Sequence, residues 1–353
     1  MIAFGARLTG SLNEIFISCR YRPTVPDVRP WRSSLLGFAV LAAGLLLLGS
    51  THFGRGSVDQ ALASLEGARP GWLLLAGAGF AAGLLCSAAA WRAGLHACGG
   101  QPSFTDVAAR YAIGSLVNSA APAHVGGAVR IGLLSRTLGG SDPVWRACGV
   151  ATTIAVARAF GLAALVFAAA AVGRLPLWPA PLLLAVVAAA LAVCMRLSTR
   201  VAGKIGAVLQ AFRSPRAALD VFSWVTCAWA VRVAATVAVV LALEIPRALP
   251  VAIVLVAAVA LAGVLPLTPG NIGAGAGAAT LALHGTGVSV GTALALGIAL
   301  QAVETCTAVV LGVSGAAVIS APGTRVRRWS LVMVSVMAVG LAATVGVATV
   351  DLV

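Results

Sequence analysis

Pro266-Leu-Thr-Pro269-Gly270-Asn271-Ile-Gly273-Ala-Gly275 lies inside 56 consecutive residues, Ala248 to Val303, that carry no charge. About 20 apolar residues suffice to cross a bilayer as a helix, so this run is too long for one crossing. Its prolines and glycines break any helix drawn through the centre. Irregular backbone at membrane depth survives only where protein or a wet cavity surrounds it. The stretch is therefore either one broken crossing or a re-entrant hairpin of two half-helices.

A second stretch has the same character. Asn118-Ser-Ala-Ala-Pro122-Ala-His124-Val-Gly126-Gly127 sits at the centre of Asp106–Gly140. Pro122-Ala-His124-Val-Gly126 aligns with Pro269-Gly270-Asn271-Ile-Gly273 in order: proline, a polar ring or amide, a β-branched residue, glycine. A span beginning near Pro70 precedes the first break, and one beginning near Val221 precedes the second. A long span bearing Arg158 follows the first, and one bearing Glu304 follows the second. The pattern reads as an internal repeat, against the alternative that short Pro/Gly matches arise by chance in apolar sequence.

Composition fixes the class. Of 353 residues, 60% are hydrophobic and 10% charged; soluble domains carry about 25% charged residues. A soluble enzyme, a disordered chain and a secreted disulfide scaffold are excluded. The formal net charge of +14 resides in short loops between apolar runs, which points to the cytoplasmic bias of membrane proteins and away from nucleic acid. The seven cysteines form no C-x-x-C pair and no zinc pattern; no metal and no cofactor is expected.

Apolar runs at Ser33–Ser50, Pro70–Trp91, Ala147–Gly173, Leu175–Met195, Val221–Leu243, the part of the uncharged stretch continuing to Thr324, and Trp329–Val350 supply the crossings. If both broken segments are hairpins, only Arg55, Arg69, Arg174 and Arg247 fall outside. The arginine-rich residues 1–32, the basic 196–216 loop and the Arg325–Arg328 cluster all stay inside. A single crossing by either segment would export one of those clusters. The positive-inside rule thus selects an all-α polytopic membrane protein of about seven full transmembrane helices plus two re-entrant helical hairpins. Residues 1–32 are expected as a cytoplasmic tail and 33–353 as one transmembrane domain. Its repeats run from about 70 to 195 and from about 220 to 350, inverted relative to each other. The N-terminus is inside and the C-terminus outside.

Each hairpin returns through a helix that starts at the break, near Gly126–Gly127 and near Gly273. A helix N-terminus offers free N–H groups and a partial positive charge, and so favours anions. Arg130, Arg158 and Arg232 stand against a lone intramembrane acid, Glu304. A charge at the bilayer centre costs at least ~2.5–3.5 kcal/mol and normally faces a cavity or a partner. Asn118, Pro122, His124, Gly126, Gly127, Arg130, Arg158, Arg232, Pro269, Gly270, Asn271, Gly273, Gln301 and Glu304 form the expected substrate site. Plain structural alternatives stand beside them. Arg130 snorkels to the surface; Arg158 bridges to Glu304; His124 is a satisfied interior histidine; Asn118 and Asn271 cap broken helices; Gln301 bonds across helices. No P-loop, H-E-x-x-H or hydrolase elbow occurs, and Gly273-Ala-Gly275-Ala-Gly277 lacks dinucleotide-loop spacing, so no enzyme activity is expected.

Asn118-Ser-Ala-Ala-Pro122-Ala-His124-Val-Gly126-Gly127-Ala-Val-Arg130 with Leu133-Leu-Ser-Arg136, and Pro266-Leu-Thr-Pro269-Gly270-Asn271-Ile-Gly273, resemble the two signatures of the lysylphosphatidylglycerol synthase transmembrane region. The resemblance covers roughly residues 35–320 and is to stand-alone members without the synthase domain. It implies a bacterial inner-membrane flippase-like protein whose ligand is a membrane lipid. Asn118, Pro122, Gly126, Arg130, Pro269, Gly270 and Gly273 match the family pattern. Ala157 and Ala276 stand where the pattern has acids, and Gln301 where it has an arginine. The expectation is a translocase for anionic, phosphate-bearing lipids, either phospholipid or polyprenyl-phosphate-linked. Two other readings stay open: a non-transporting subunit of a glycosyltransferase or envelope synthase, and a small-anion transporter. A homo-oligomer or an envelope-biosynthesis partner is also left open.

Overall fold

Prolines open the long helices. Pro70 and Pro215 stand at first-turn positions, where a missing N–H costs nothing. Ser214 and Ser289 cap their helices by accepting from the Ala217 and Thr292 N–H groups. The computed structural model describes residues 52–120, 125–171, 214–263, 274–283 and 288–335, with 181, 185, 188, 189 and 192 as single helical positions. The described residues contain helices and no strand. The chain divides into Met1–Val40 and Leu41–Val353, and every described residue belongs to the second unit.

In order, the helices are α1 (His52–Glu66), α2 (Pro70–Ala97), α3 (Phe104–Ala120), α4 (Val125–Ser135), α5 (Pro143–Ala171), α6 (Pro215–Ala242), α7 (Ala248–Ala262), α8 (Ala274–Leu283) and α9 (Val290–Ile319). A further helical stretch begins at residue 325. The sequence reading assigned no helix to the segment forming α1, which packs on α9. The expected crossings at 33–50 and, apart from single positions, 175–195 lie outside the described residues. So does the region beyond 335.

Helices α2, α5, α6 and α9 have 28, 29, 28 and 30 residues and are long and apolar enough to cross a membrane. At 1.5 Å per residue they reach roughly 42–45 Å, beyond the ~30 Å hydrocarbon core. Helices α3 and α4 have 17 and 11 residues, and α7 and α8 have 15 and 10. None of these short helices is long enough to cross alone. The lengths therefore run long, short, short, long in 70–171 and again in 215–319.

Each short pair folds back on itself. In α3–α4, Arg110 Nη1 donates to the Leu133 carbonyl at 3.0 Å, Gly114 faces Arg130, and Gly126 sits against Asn118. The two helices therefore run antiparallel. In α7–α8, Gly275 lies on Val259, while Leu283 shares a cavity wall with Val251 and Val254. Both hairpins thus bring together residues an equal number of positions apart in the chain.

Packing between the two series is reciprocal. Helices α2 and α6 run antiparallel: the Arg69 N–H donates to the Ala242 carbonyl at 2.9 Å, Gly79 closes on Ala235, and Cys86 lies beside Cys227. Gly79 thus lets the two helix backbones approach closely. Helix α3 leans on α9, where Gly315 admits Ala109 and Gly312 admits Leu116; α7 leans on α5. Two apolar clusters result. One joins α7 and α8 to residues such as Phe80, Val166, Val239 and Leu296. The other joins α3 and α4 to Trp91, Val150, Ile154 and Val225. Phe80 and Trp91 occupy different lengths of α2, so the clusters sit toward opposite ends of the α2–α6 pair. Trp229 touches both.

Candidate functional site

Charge collects where the two apolar clusters meet. On α5, Arg158 lies between Ala157 of one cluster and Leu162 of the other; on α6, Arg232 lies between Val225 and Ala235. Around this waist is a cavity of about 510 Å³ with walls from α2, α3, α4, α5, α6 and α9. Its polar lining comes from Ser87, Tyr111, Ser115, Asn118, Ser119, Arg130, Arg158, Arg232, Gln301, Glu304 and Thr305.

The residues reach it by helical spacing. Tyr111, Ser115 and Asn118 fall on one face of α3, and Gln301, Glu304, Thr305 and Ala308 on one face of α9. Helix α6 offers Val225, Ala228, Trp229 and Arg232 in the same rhythm. Tyr111 is buried, with 3% of its surface exposed. Arg130 lays its guanidinium 4.0 Å from the centre of the Tyr111 ring, and its Nη2 donates to Ser115 Oγ at 3.1 Å. Its buried Nε has no hydrogen-bond partner among the described residues. Arg158 Nη2 donates to the Tyr111 hydroxyl at 3.0 Å. Two guanidinium groups thus converge on one phenol, from its face and from its edge.

Glu304 pairs with Arg232 at 2.5 Å. The sequence alternative that joined Glu304 to Arg158 is not the arrangement found. Among the described residues, no carboxylate pairs with Arg130 or Arg158. Among the described residues that line it, three guanidinium groups stand against one carboxylate. Gln301 Nε2 lies 3.3 Å from Thr305 Oγ1, one turn along α9.

Of the expected site residues, Asn118, Gly127, Arg130, Arg158, Arg232, Gln301 and Glu304 line this one cavity. Gly126 instead packs into α3, where a Cβ would overlap Gly114 and Asn118. Helix α4 starts at Val125, close to the expected position, and Arg130 falls in its second turn. Pro122, His124, Pro269, Gly270, Asn271 and Gly273 lie outside the described residues. The sequence reading missed Tyr111, Ser87, Ser115 and Trp229. The clue was the i, i+4, i+7 polar stripe on α3, together with a tyrosine in a chain that has two.

A second cavity, of about 450 Å³, lies at the α6–α7 turn. Its Glu244 is exposed and pairs with Arg69. It gathers none of the residues expected in the substrate site. Among the described residues, no cluster of three or more His, Cys, Asp or Glu side chains is placed to hold a metal.

Long apolar helices around a charged internal cavity define a multi-pass helical membrane protein. The chain belongs to the family described as the lysylphosphatidylglycerol synthase TM region, whose sequence profile matches residues 34–312. No curated protein matches the chain.

Proposed function

We propose that this protein is a flippase-like translocase for anionic, phosphate-bearing lipids of the bacterial inner membrane, with no enzyme activity of its own. The observation that carries the reading is the cavity between the two apolar clusters, with its excess of positive charge and its walls drawn from both helix series. In this reading α3–α4 and α7–α8 are re-entrant hairpins, the two series are an inverted repeat, and about seven helices cross. The N-terminus is cytoplasmic. The antiparallel contact of α2 with α6 and the recurrence of long, short, short and long helices support the inversion. The lipid headgroup enters the waist while its acyl chains stay in the bilayer, and rocking of the two series alternates access. Membership of the family and four apolar spanning helices support a membrane-transport role.

The test is reconstitution into vesicles holding a trace of fluorescent anionic phospholipid, with chemical quenching of the outer leaflet. Protein-containing vesicles are expected to expose the inner-leaflet probe, and Arg130→Gln or Arg158→Gln to slow that exposure about tenfold, the order lost with one charge-assisted contact. Exposure equal to that of protein-free vesicles, or unchanged rates in both variants, overturns the reading.

A further inference from the structure

The cavity's charge balance says which phosphate it takes. Arginine stays protonated at any ordinary pH, so Arg130, Arg158 and Arg232 contribute three fixed charges. Glu304 answers Arg232 directly. The other two arginines share Tyr111, which serves one as a ring face and the other as a hydroxyl acceptor. Tyr111 orients both guanidinium groups, and among the described residues no carboxylate answers either of them. Arg130 also keeps a buried Nε–H with no acceptor among the described residues. The site therefore has two cations without a carboxylate, fixed relative to each other through one side chain, with a hydrogen-bond donor to spare.

A phosphodiester headgroup carries one negative charge and would leave one of these cations unanswered. A zwitterionic headgroup compensates less, and an aminoacylated headgroup adds positive charge. A phosphate that is a monoester ionises twice and answers both. We propose that the cavity selects a doubly ionised terminal phosphate, held between Arg130 and Arg158 with Tyr111 setting their separation, in preference to phosphodiester headgroups. This rests on the reading of the cavity as a lipid-headgroup site and narrows its substrate to phosphomonoester lipids.

The experiment is calorimetric titration of the purified full chain in detergent with short-chain phosphatidic acid, short-chain phosphatidylglycerol and inorganic phosphate, at pH 8 and pH 5. The second ionisation of a phosphomonoester lies near pH 6. Phosphatidic acid is expected to bind at least tenfold more tightly than phosphatidylglycerol at pH 8 and less than threefold at pH 5. Both lipids meet the same side chains, so the ratio at each pH compares their headgroups alone. Arg130→Gln or Arg158→Gln is expected to bring the pH 8 ratio below three. If these variants do not purify as single species, Tyr111→Phe serves, because it keeps the ring under Arg130 and removes the hydroxyl; it is expected to lower the ratio about threefold.

Equal binding of the two lipids, or tighter binding of the diester, overturns this inference and leaves the headgroup reading standing. Inorganic phosphate binding as tightly as phosphatidic acid supports selection of the double charge and overturns the lipid as its source. Failure of all three to bind overturns both.

Discussion

Among single residues, the partner of each charge matters more than its presence. Arg232 and Glu304 are 35% and 21% exposed in their side chains, so solvent partly screens the pair. Glu304→Gln is expected to lower stability by about 1–3 kcal/mol, below the cost of breaking a fully buried pair, read as a fall in the melting temperature of the detergent-purified protein. Adding Arg232→Gln should restore at least half of the loss, because the stranded cation goes too. That the arginines face a shared polar space was legible in the sequence: Arg158 and Arg232 interrupt otherwise uncharged spans, Arg130 follows the first break, and a single intramembrane acid stands beside them. Which arginine takes the acid was not, because three compete and only the three-dimensional approach of α6 to α9 decides. Tyr111 was hidden for a related reason. Its partner Arg158 is 47 residues away, and a polar stripe diluted among alanine and valine leaves a weak periodic trace.

For the elements, the neighbouring glycines Gly126 and Gly127 make opposite demands. A Cβ on Gly126 would overlap the Gly114 carbonyl and Asn118 across the hairpin, whereas one on Gly127 meets nothing within 4 Å. Gly126→Ala is expected to destabilise by about 1–3 kcal/mol through overpacking, and Gly127→Ala to leave the melting temperature unchanged or slightly raised, since alanine is the better helix former. Equal effects would mean that α4 does not meet α3 at this register. Helices α4 and α8 begin at Val125 and Ala274, beside the starts expected near Gly126–Gly127 and Gly273; such starts are readable because proline and glycine act on local backbone. The role of Gly126 was readable only as "small": its pressure on α3 comes from the antiparallel return of the chain. Arg110 secures the same hairpin, holding Asp106 through Nε at 2.9 Å and the Leu133 carbonyl through Nη1.

In the molecule as a whole, Cys86 and Cys227 report on how the two series meet. Their sulfurs are 3.5 Å apart across α2 and α6. In a chain with a protease site introduced within 196–213, mild oxidation is expected to keep the two fragments joined on a non-reducing gel, and Cys86→Ser to release them. Separation of the unsubstituted fragments would show a different α2–α6 register. Cys98, just beyond α2, supplies an internal control. It is fully buried, and burial pushes its thiol up against the opposing pull of Arg146, so it should resist alkylation at neutral pH and react after denaturation.

The reciprocal clasp, α3 held by α9 and α7 by α5, has a consequence for biogenesis. Residues 70–171 emerge from the ribosome with their hairpin still lacking its far wall, which is made last. Its packing is therefore expected to stay incomplete until residue 319 has been synthesised. A gene split at the join would give two fragments that are degraded when made alone and rescue each other when made together.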